Sequence, residues 1–345
     1  MVDNLSARTI KYFIGANTSR GFINYGDMIF EDLKKLYVIK GGPGTGKSTF
    51  MKRFAESAEA IGCEVEYYYC SSDPSSLDGI VIPKLKLGIT DGTSPHTFEA
   101  RYPGAKEEYL NLGEFWNADF LALCRDQIEA LTKQKAKLFS SAYKYLSVAE
   151  SVRGERERVL LSCYNYEKSE KAIGRLMKKM GTGKGYELVT RQISAFSMAG
   201  EAVFDTFENE AKRVIYIKDK RGVSSFLFNE IVKRAEVLRL ITCVSYDPLC
   251  RINAVMFPEK GVAILLGEGD TVINAERFVI QERLRDVRKK LRFLNSLENE
   301  LKDSALKDLN QARGYHFSLE DIYKEAMDFI SLEKMEKAFI SKALK

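Results

Sequence analysis

Residues Gly41-Gly42-Pro43-Gly44-Thr45-Gly46-Lys47-Ser48-Thr49 match the pattern G-x-x-x-x-G-K-[ST]. The apolar run Leu36-Tyr37-Val38-Ile39 before them reads as a buried strand, and Phe50, Met51, Phe54, Ala55 and Ala58 after them recur at helical spacing. A strand, a glycine-rich loop and a helix start in that order point to an α/β fold with a mainly parallel sheet. The layout also suits one chemistry. Glycines let the backbone turn its N–H groups inward around a phosphate, and the helix start adds a positive dipole end. Lys47 would supply a point charge to the β- and γ-phosphates, and Ser48 a hydroxyl to Mg²⁺.

Lining up the two halves of the chain reveals an internal repeat. Tyr37-Val38-Ile39-Lys40 is echoed by Ile215-Tyr216-Ile217-Lys218, and each is followed by an amphipathic helix and a further strand, Glu64 to Cys70 and Leu240 to Val244. Ser72-Asp73-Pro74 then matches Ser245-Tyr246-Asp247-Pro248, and Pro83 matches Pro258. Leu87-Gly88-Ile89-Thr90-Asp91-Gly92 is set against Ala263-Ile264-Leu265-Leu266-Gly267-Glu268. The second loop has decayed. With the lysines before the two loops aligned, Ser225 falls where Lys47 stands, Phe226 where Ser48 stands, and Gly222 is the counterpart of Gly44. Asp219 puts negative charge where a phosphate would lie. One competent nucleotide site is expected, in the first half, beside a degenerate partner.

Helical patterns follow each α/β segment. From Asn117 to about Val152, Leu121, Cys124, Ile128, Leu131, Leu138, Ala142, Tyr145, Ala149 and Val152 recur at coiled-coil spacing, interrupted by Lys135. Gly154 is expected to turn the chain into a second helix from Glu155 to about Met180, and Gly181-Thr182-Gly183-Lys184-Gly185 reads as a linker. In the second half Leu284, Val287, Leu291, Leu294, Leu301 and Ala305 form one stripe, with a later helix expected near Ser318. The expectation is therefore two duplicated phosphate-loop NTPase-like units with mainly parallel sheets, each followed by an antiparallel α-helical hairpin. The first covers residues 1–185, with its hairpin at about 117–180, and the second 186–345, with its hairpin at about 275–345. The hairpins could also join copies of the chain into an oligomer.

A phosphate loop needs a carboxylate at the end of a nearby strand to hold Mg²⁺. Asp91, which closes Leu85-Lys86-Leu87-Gly88-Ile89-Thr90 ahead of Gly92, is the expected metal carboxylate; an Asp-Gly turn is the competing role. Asp73, in the segment Ser71 to Gly79 that also holds Asp78, reads as a turn-former ahead of Pro74 that could also face the γ-phosphate. His96 is a candidate for contacting the γ-phosphate or the attacking water. His316 is expected to be structural. Arg101 and the cluster Arg153, Arg156 and Arg158 could bring charge to a transferring phosphoryl group, although a charged helix face explains them as well.

Composition excludes several classes. At 345 residues two domains are expected. A net charge of +5 gives no signal for nucleic acid or a membrane surface. Cys63, Cys70, Cys124, Cys163, Cys243 and Cys250 form no C-x-x-C pair and read as reduced thiols of a cytosolic protein. The start Met1-Val2-Asp3-Asn4 does not read as a signal peptide. The run Val262-Ala263-Ile264-Leu265-Leu266 is too short to span a bilayer.

The base-reading N-K-x-D pattern and a D-x-x-G switch motif are missing, so ATP is expected rather than GTP; L-S-G-G is missing too. Several segments together carry a resemblance over essentially the whole chain. They are Gly15-Ala16-Asn17-Thr18-Ser19-Arg20-Gly21-Phe22, the Gly41 to Thr49 loop, and Cys70-Ser71-Ser72-Asp73-Pro74-Ser75-Ser76-Leu77-Asp78-Gly79. Asp91-Gly92-Thr93-Ser94-Pro95-His96, Tyr102-Pro103-Gly104-Ala105 and Tyr323-Lys324-Glu325-Ala326-Met327-Asp328-Phe329 complete it. On these the chain resembles a bacterial family of largely uncharacterised ATPases with tandem phosphate-loop halves. The resemblance implies ATP binding and hydrolysis, and the decayed second loop departs from it. The leading expectation is a Mg²⁺-dependent ATPase. Lys47, Asp91 and His96 would act in chemistry, Gly41 to Thr49 would bind nucleotide, and Ser48 and Asp91 would hold the metal. An ATP-dependent small-molecule or nucleotide kinase, and a non-catalytic ATP-gated switch binding a protein partner, are the alternatives.

Overall fold

In a computed structural model that describes residues 9–94, 98–180, 187–235, 239–244 and 251–345, the two halves repeat each other element by element. The first runs through β1 (Ile10–Phe13), β2 (Gly15–Thr18), β3 (Gly21–Asn24), α1 (Gly26–Ile29), β4 (Lys35–Lys40) and α2 (Lys47–Ala60). It continues with β5 (Glu66–Tyr69), β6 (Leu77–Ile82), β7 (Leu87–Asp91), β8 (Glu107–Asn111), α3 (Ala118–Leu123), α4 (Arg125–Cys163) and α5 (Tyr166–Met180). The second runs through β9 (Glu187–Thr190), β10 (Ser194–Ser197), β11 (Gly200–Val203), α6 (Thr206–Glu210), β12 (Arg213–Lys218) and α7 (Ser224–Lys233). It ends with β13 (Arg239–Val244), β14 (Ile252–Phe257), β15 (Val262–Leu266), β16 (Val272–Asn274), α8 (Gln281–Ala326) and α9 (Phe329–Ala343).

Each half builds a six-stranded sheet. The order is β1-β5-β6-β7-β4-β8 in the first and, from the corresponding edge, β9-β13-β14-β15-β12-β16 in the second. The sheets are mixed, mostly parallel, with one reversed strand each: β6 runs against β5 and β7, and β14 against β13 and β15. The reversal has a local cause. β6 and β7 are joined by the single turn Pro83–Leu85, too short for the crossover a parallel pair requires. The sheets meet at their β1 and β9 ends, where the Phe13 N–H donates to the Gln192 carbonyl at 2.7 Å. A shared core, including Tyr12, Tyr68, Ile241 and Cys243, lies across this junction.

Two expectations are corrected. The first is a register. Lys35 pairs with Leu87 and Arg213 with Val262. The counterpart of Leu87 is therefore Val262, not Ala263, and Asp91 is matched by Leu266 and Gly92 by Gly267. The carboxylate that closes β7 has no equivalent at the end of β15.

The second concerns the helices, which form no hairpin within a half. α4, of 39 residues, and α8, of 46, rise about 60 and 70 Å and pack antiparallel against each other. Each then delivers the following helix to the opposite half. α5 buries Ile173 and Met177 with Ile215, Leu227 and Phe228 of the second unit. α9 places Phe339 against Phe50 and Phe54 of α2, with ring centroids 5.6 and 6.0 Å apart. The ends are pinned reciprocally: Asn117 N–H donates to the Ala326 carbonyl and Asn165 N–H to the Phe278 carbonyl, both at 2.8 Å. An apolar stripe specifies that a helix needs a partner, not which half supplies it. These stripes are used here inside one chain. Gly154 and Ser318 lie in mid-helix; the breaks fall at Tyr164-Asn165 and at Asp328, whose carboxylate caps α9. Among the described residues no helix is long and apolar enough to cross a membrane.

Candidate functional site

β4 ends at Lys40 and α2 begins at Lys47, so Gly41–Gly46 form the turn between strand and helix. Gly44 and Gly46 have φ of +73° and +95°, a region that favours glycine. The loop is also gripped from outside. A Cβ on Gly42 would lie 2.5 Å from the Tyr323 ring, and one on Gly44 2.7 Å from the Glu320 carbonyl oxygen. The end of α8, from the second half of the chain, therefore seats directly on the loop of the first.

The loop side chains form one polar constellation. Lys47 Nζ donates to the Gly41 and Gly42 carbonyls at 3.1 and 2.7 Å. It lies 3.6 Å from Asp91 Oδ2, and both side chains are nearly buried. Asp91 Oδ1 accepts the Thr93 N–H at 2.8 Å, and Thr93 Oγ1 donates to the Gly41 carbonyl at 2.8 Å. Ser48 Oγ accepts the Leu77 N–H at 3.0 Å. The structure thus brings Lys47, Ser48 and Asp91 together as the sequence suggests. His96 lies outside the described residues.

These groups open into a cavity of about 1280 Å³. Its floor is the Gly44–Thr49 turn, with Asp91 and the 4%-exposed Asp78 beside it. One wall is the Ser19–Phe22 turn between β2 and β3. Another is α4, through Lys135, Phe139 and Tyr143, and a third is α8, through His316, Glu320 and Lys324; Met198 reaches in from the second half. The walls are tied together by Asn17, which is fully buried. Its Nδ2 donates to Ser72 Oγ at 3.2 Å and the Phe196 carbonyl at 3.0 Å, and its Oδ1 accepts from Tyr143 Oη at 3.0 Å.

Other candidates fare differently. Asp73 Oδ1 accepts from Ser75 N and Oγ at 3.2 and 2.8 Å, a turn-forming role, at the cavity rim. Arg101 pairs with Asp27 at 2.6 Å on the surface and does not line the cavity. Arg156 and Arg153 reach Glu298 at 3.0 and 3.9 Å, and Arg158 reaches Glu155 at 2.5 Å. His316, expected to be structural, faces the cavity with Nε2 3.3 Å from Glu320 Oε1. That contact, with Lys324 adding to it against the opposing effect of burial, lowers the Glu320 carboxyl to about 2. Lys135, read in the sequence as a flaw in a packing stripe, is a half-buried ammonium, its pKa lowered first by burial.

The corresponding loop of the second half is closed by its own chain. Asp219 accepts three backbone N–H groups: Arg221 and Gly222 at 2.9 Å to Oδ1, and Ser224 at 2.6 Å to Oδ2. The carboxylate sits in the nest of amides at the start of α7. Arg156 of α4 covers it from outside, donating to the Arg221 carbonyl at 3.1 Å. Ser225 and Phe226 stand in the places of Lys47 and Ser48, and Leu266 in that of Asp91.

The donor set around Lys47 fits a magnesium nucleotide. The Ser48 hydroxyl and the Asp91 carboxylate are hard oxygen ligands of the kind Mg²⁺ takes alongside phosphate oxygens. Comparison with protein-family descriptions, with curated proteins and with solved structures finds no match.

Proposed function

We propose that the chain is an ATPase that binds Mg²⁺–ATP at the Gly41–Thr49 loop and hydrolyses its terminal phosphoanhydride bond. The observation that carries the reading is the pairing of Lys47 and Asp91 at 3.6 Å beside a left-handed glycine loop and a large cavity. The closed Asp219 loop supports a single site per chain.

In this reading Lys47 exchanges its carbonyl partners for β- and γ-phosphate oxygens. The loop amides and the start of α2 add positive potential. Ser48 and Asp91 would hold the metal, which would supply positive charge to neutralise the phosphate oxygens. The walls from α4 and α8 limit water around the reacting group, which strengthens each electrostatic contact. A water oxygen bonds to the γ-phosphorus as the bond to the bridging oxygen breaks, giving ADP and phosphate.

The test measures ATP binding and phosphate release side by side on the intact chain. Lys47→Ala is expected to lower turnover by about 10²–10³-fold without unfolding the protein, and Asp91→Asn to lower turnover and raise the Mg²⁺ concentration needed for it. Turnover that persists in Lys47→Ala would overturn the assignment.

One observation favours a second reading, phosphoryl transfer to a small-molecule acceptor. The cavity, at about 1280 Å³, exceeds the roughly 300–1,000 Å³ of ordinary ligand pockets, leaving room beside a nucleotide. ADP release that depends on an added acceptor would select this reading over hydrolysis.

A further inference from the structure

Lys135 breaks the apolar periodicity of α4, between Leu131 and Leu138. It shares one helical face with Phe139 and Tyr143, and all three line the cavity that also holds Lys47. Tyr143 fixes that face in place through Asn17. Among the described residues Lys135 makes no hydrogen bond and no ion pair.

Half-burying an ammonium without a partner is unfavourable, and a leucine at this position would have continued the packing stripe. The charged groups around it do not cancel. Burial and the positive charge of Lys47 both act against its charged form; Cys70 and Glu320 act the other way. Glu320 is already committed to His316 and Lys324, at 3.3 and 2.8 Å. The Cys70 thiol is pushed up by burial and holds little negative charge. Of the ammonium groups lining the cavity, Lys47 pairs with Asp91 and Lys324 with Glu320, whereas among the described residues Lys135 is left without an anion.

We propose that Lys135 is a second phosphate-binding cation of this site, carried by α4 to the side facing the loop, and that it contacts the terminal phosphoryl group of a bound nucleoside triphosphate. The proposal rests on the nucleotide-binding reading above and adds a source of selectivity to it. The loop amides and Lys47 grip the β-phosphate, common to ADP and ATP, and Lys47 reaches the γ-phosphate from the loop side. Lys135, on the α4 wall of the same cavity, meets the group that only the triphosphate has. In a loose phosphoryl-transfer transition state the charge spread over that group would be met from both sides.

The test is calorimetric titration of the full chain with MgADP and with Mg²⁺ plus an ATP analogue whose β,γ-bridge is an imido group. Lys135→Gln and Lys135→Arg are compared with the unaltered protein. A charge-assisted hydrogen bond of this kind corresponds to about tenfold to hundredfold in affinity. Lys135→Gln is expected to weaken the analogue by that factor with MgADP affinity unchanged, which also shows that the variant is folded; Lys135→Arg is expected to recover part of the loss. An unchanged ratio of the two affinities, or an equal loss of both, overturns the proposal while leaving the loop assignment standing. If the unaltered protein binds neither ligand, the loop assignment itself falls, and this proposal with it.

Discussion

The Asp219 carboxylate accepts the backbone N–H of Gly222 at 2.9 Å, in the turn that corresponds to the one around Gly44 in the first half. Gly222 keeps the left-handed backbone of its counterpart, with φ of +87° against +73°. In the second half an internal carboxylate satisfies the amides of this turn. Asp219→Ala is therefore expected to destabilise the chain by about 1–3 kcal/mol, the cost of stranding partly buried donors. It is not expected to create a second nucleotide site, since Ser225, Phe226 and Leu266 supply neither the charge nor the metal oxygens. Urea unfolding checks the first outcome and binding stoichiometry the second. Two nucleotides per Asp219→Ala chain would refute the account of the decayed half.

Asn17 links four segments that are far apart in sequence. Asn17→Ala leaves the Phe196 carbonyl and the Tyr143 hydroxyl without this partner in a buried place, and is expected to cost about 1–3 kcal/mol. Tyr143→Phe removes one hydrogen bond and is expected to cost about 0.5–1.5 kcal/mol. The two losses should not add, because they share a bond. A double-mutant cycle in urea that returned simple additivity would show that the Asn17–Tyr143 contact contributes nothing.

How far the sequence could be read depends on whether a feature is local. The Lys40 and Lys218 alignment holds through the strands because a lysine, a strand end and a loop start are local signals. Pro83 and Pro258 both open a one-turn helix ending in a left-handed residue, Lys86 and Gly261, which fixes the strand register after them. Apolar runs alone do not fix that register: a slip of one residue sets Asp91 against Gly267 instead of Leu266. That Lys47 and Ser48 line one cavity with Asp91 is readable because a glycine-rich loop and a carboxylate closing a strand are both local signals. Lys135, His316 and Glu320 were not legible, because they reach the cavity on helices whose course depends on the exchange between halves. Their nearest signals were negative ones: a charge inside a packing stripe, and a histidine one helical turn before a glutamate.

The Glu320 carboxyl carries a pH signature. His316 and Lys324 hold it at about 2 in the folded chain, below its ordinary 4.5. A carboxyl depressed on folding stabilises the protein above its unfolded value and loses that contribution as pH falls toward its folded value. The shift sets a ceiling of about 3 kcal/mol at 1.36 kcal/mol per unit. Partial access of water reduces the expectation to on the order of 1–2 kcal/mol. Unfolding free energies of the native chain and of Glu320→Gln should therefore differ by that amount at pH 6 and converge between about pH 4.5 and 2. A difference that stays constant across this window would mean that charge on Glu320 is not its source.

Lys86 is the one non-glycine residue with positive φ among the described residues, at +50°. It stands where the second half has Gly261, at +61°. The turn it closes is needed: the Lys86 carbonyl accepts the Lys34 and Lys35 N–H groups at 2.8 and 3.2 Å, holding the start of β4 beside β7. All of these are backbone contacts, which a glycine would keep. A side chain in the left-handed region carries a penalty of roughly 1–2 kcal/mol, partly offset by the greater freedom of glycine in the unfolded chain. Lys86→Gly is expected to stabilise the protein by about 0.5–1 kcal/mol, seen as a higher urea midpoint with an unchanged slope. Lys86→Val, with a branched Cβ that tolerates this backbone poorly, is expected to move the midpoint the other way. If both variants shifted it in the same direction, backbone conformation at this turn would not be what governs the stability of the β7 edge of the site.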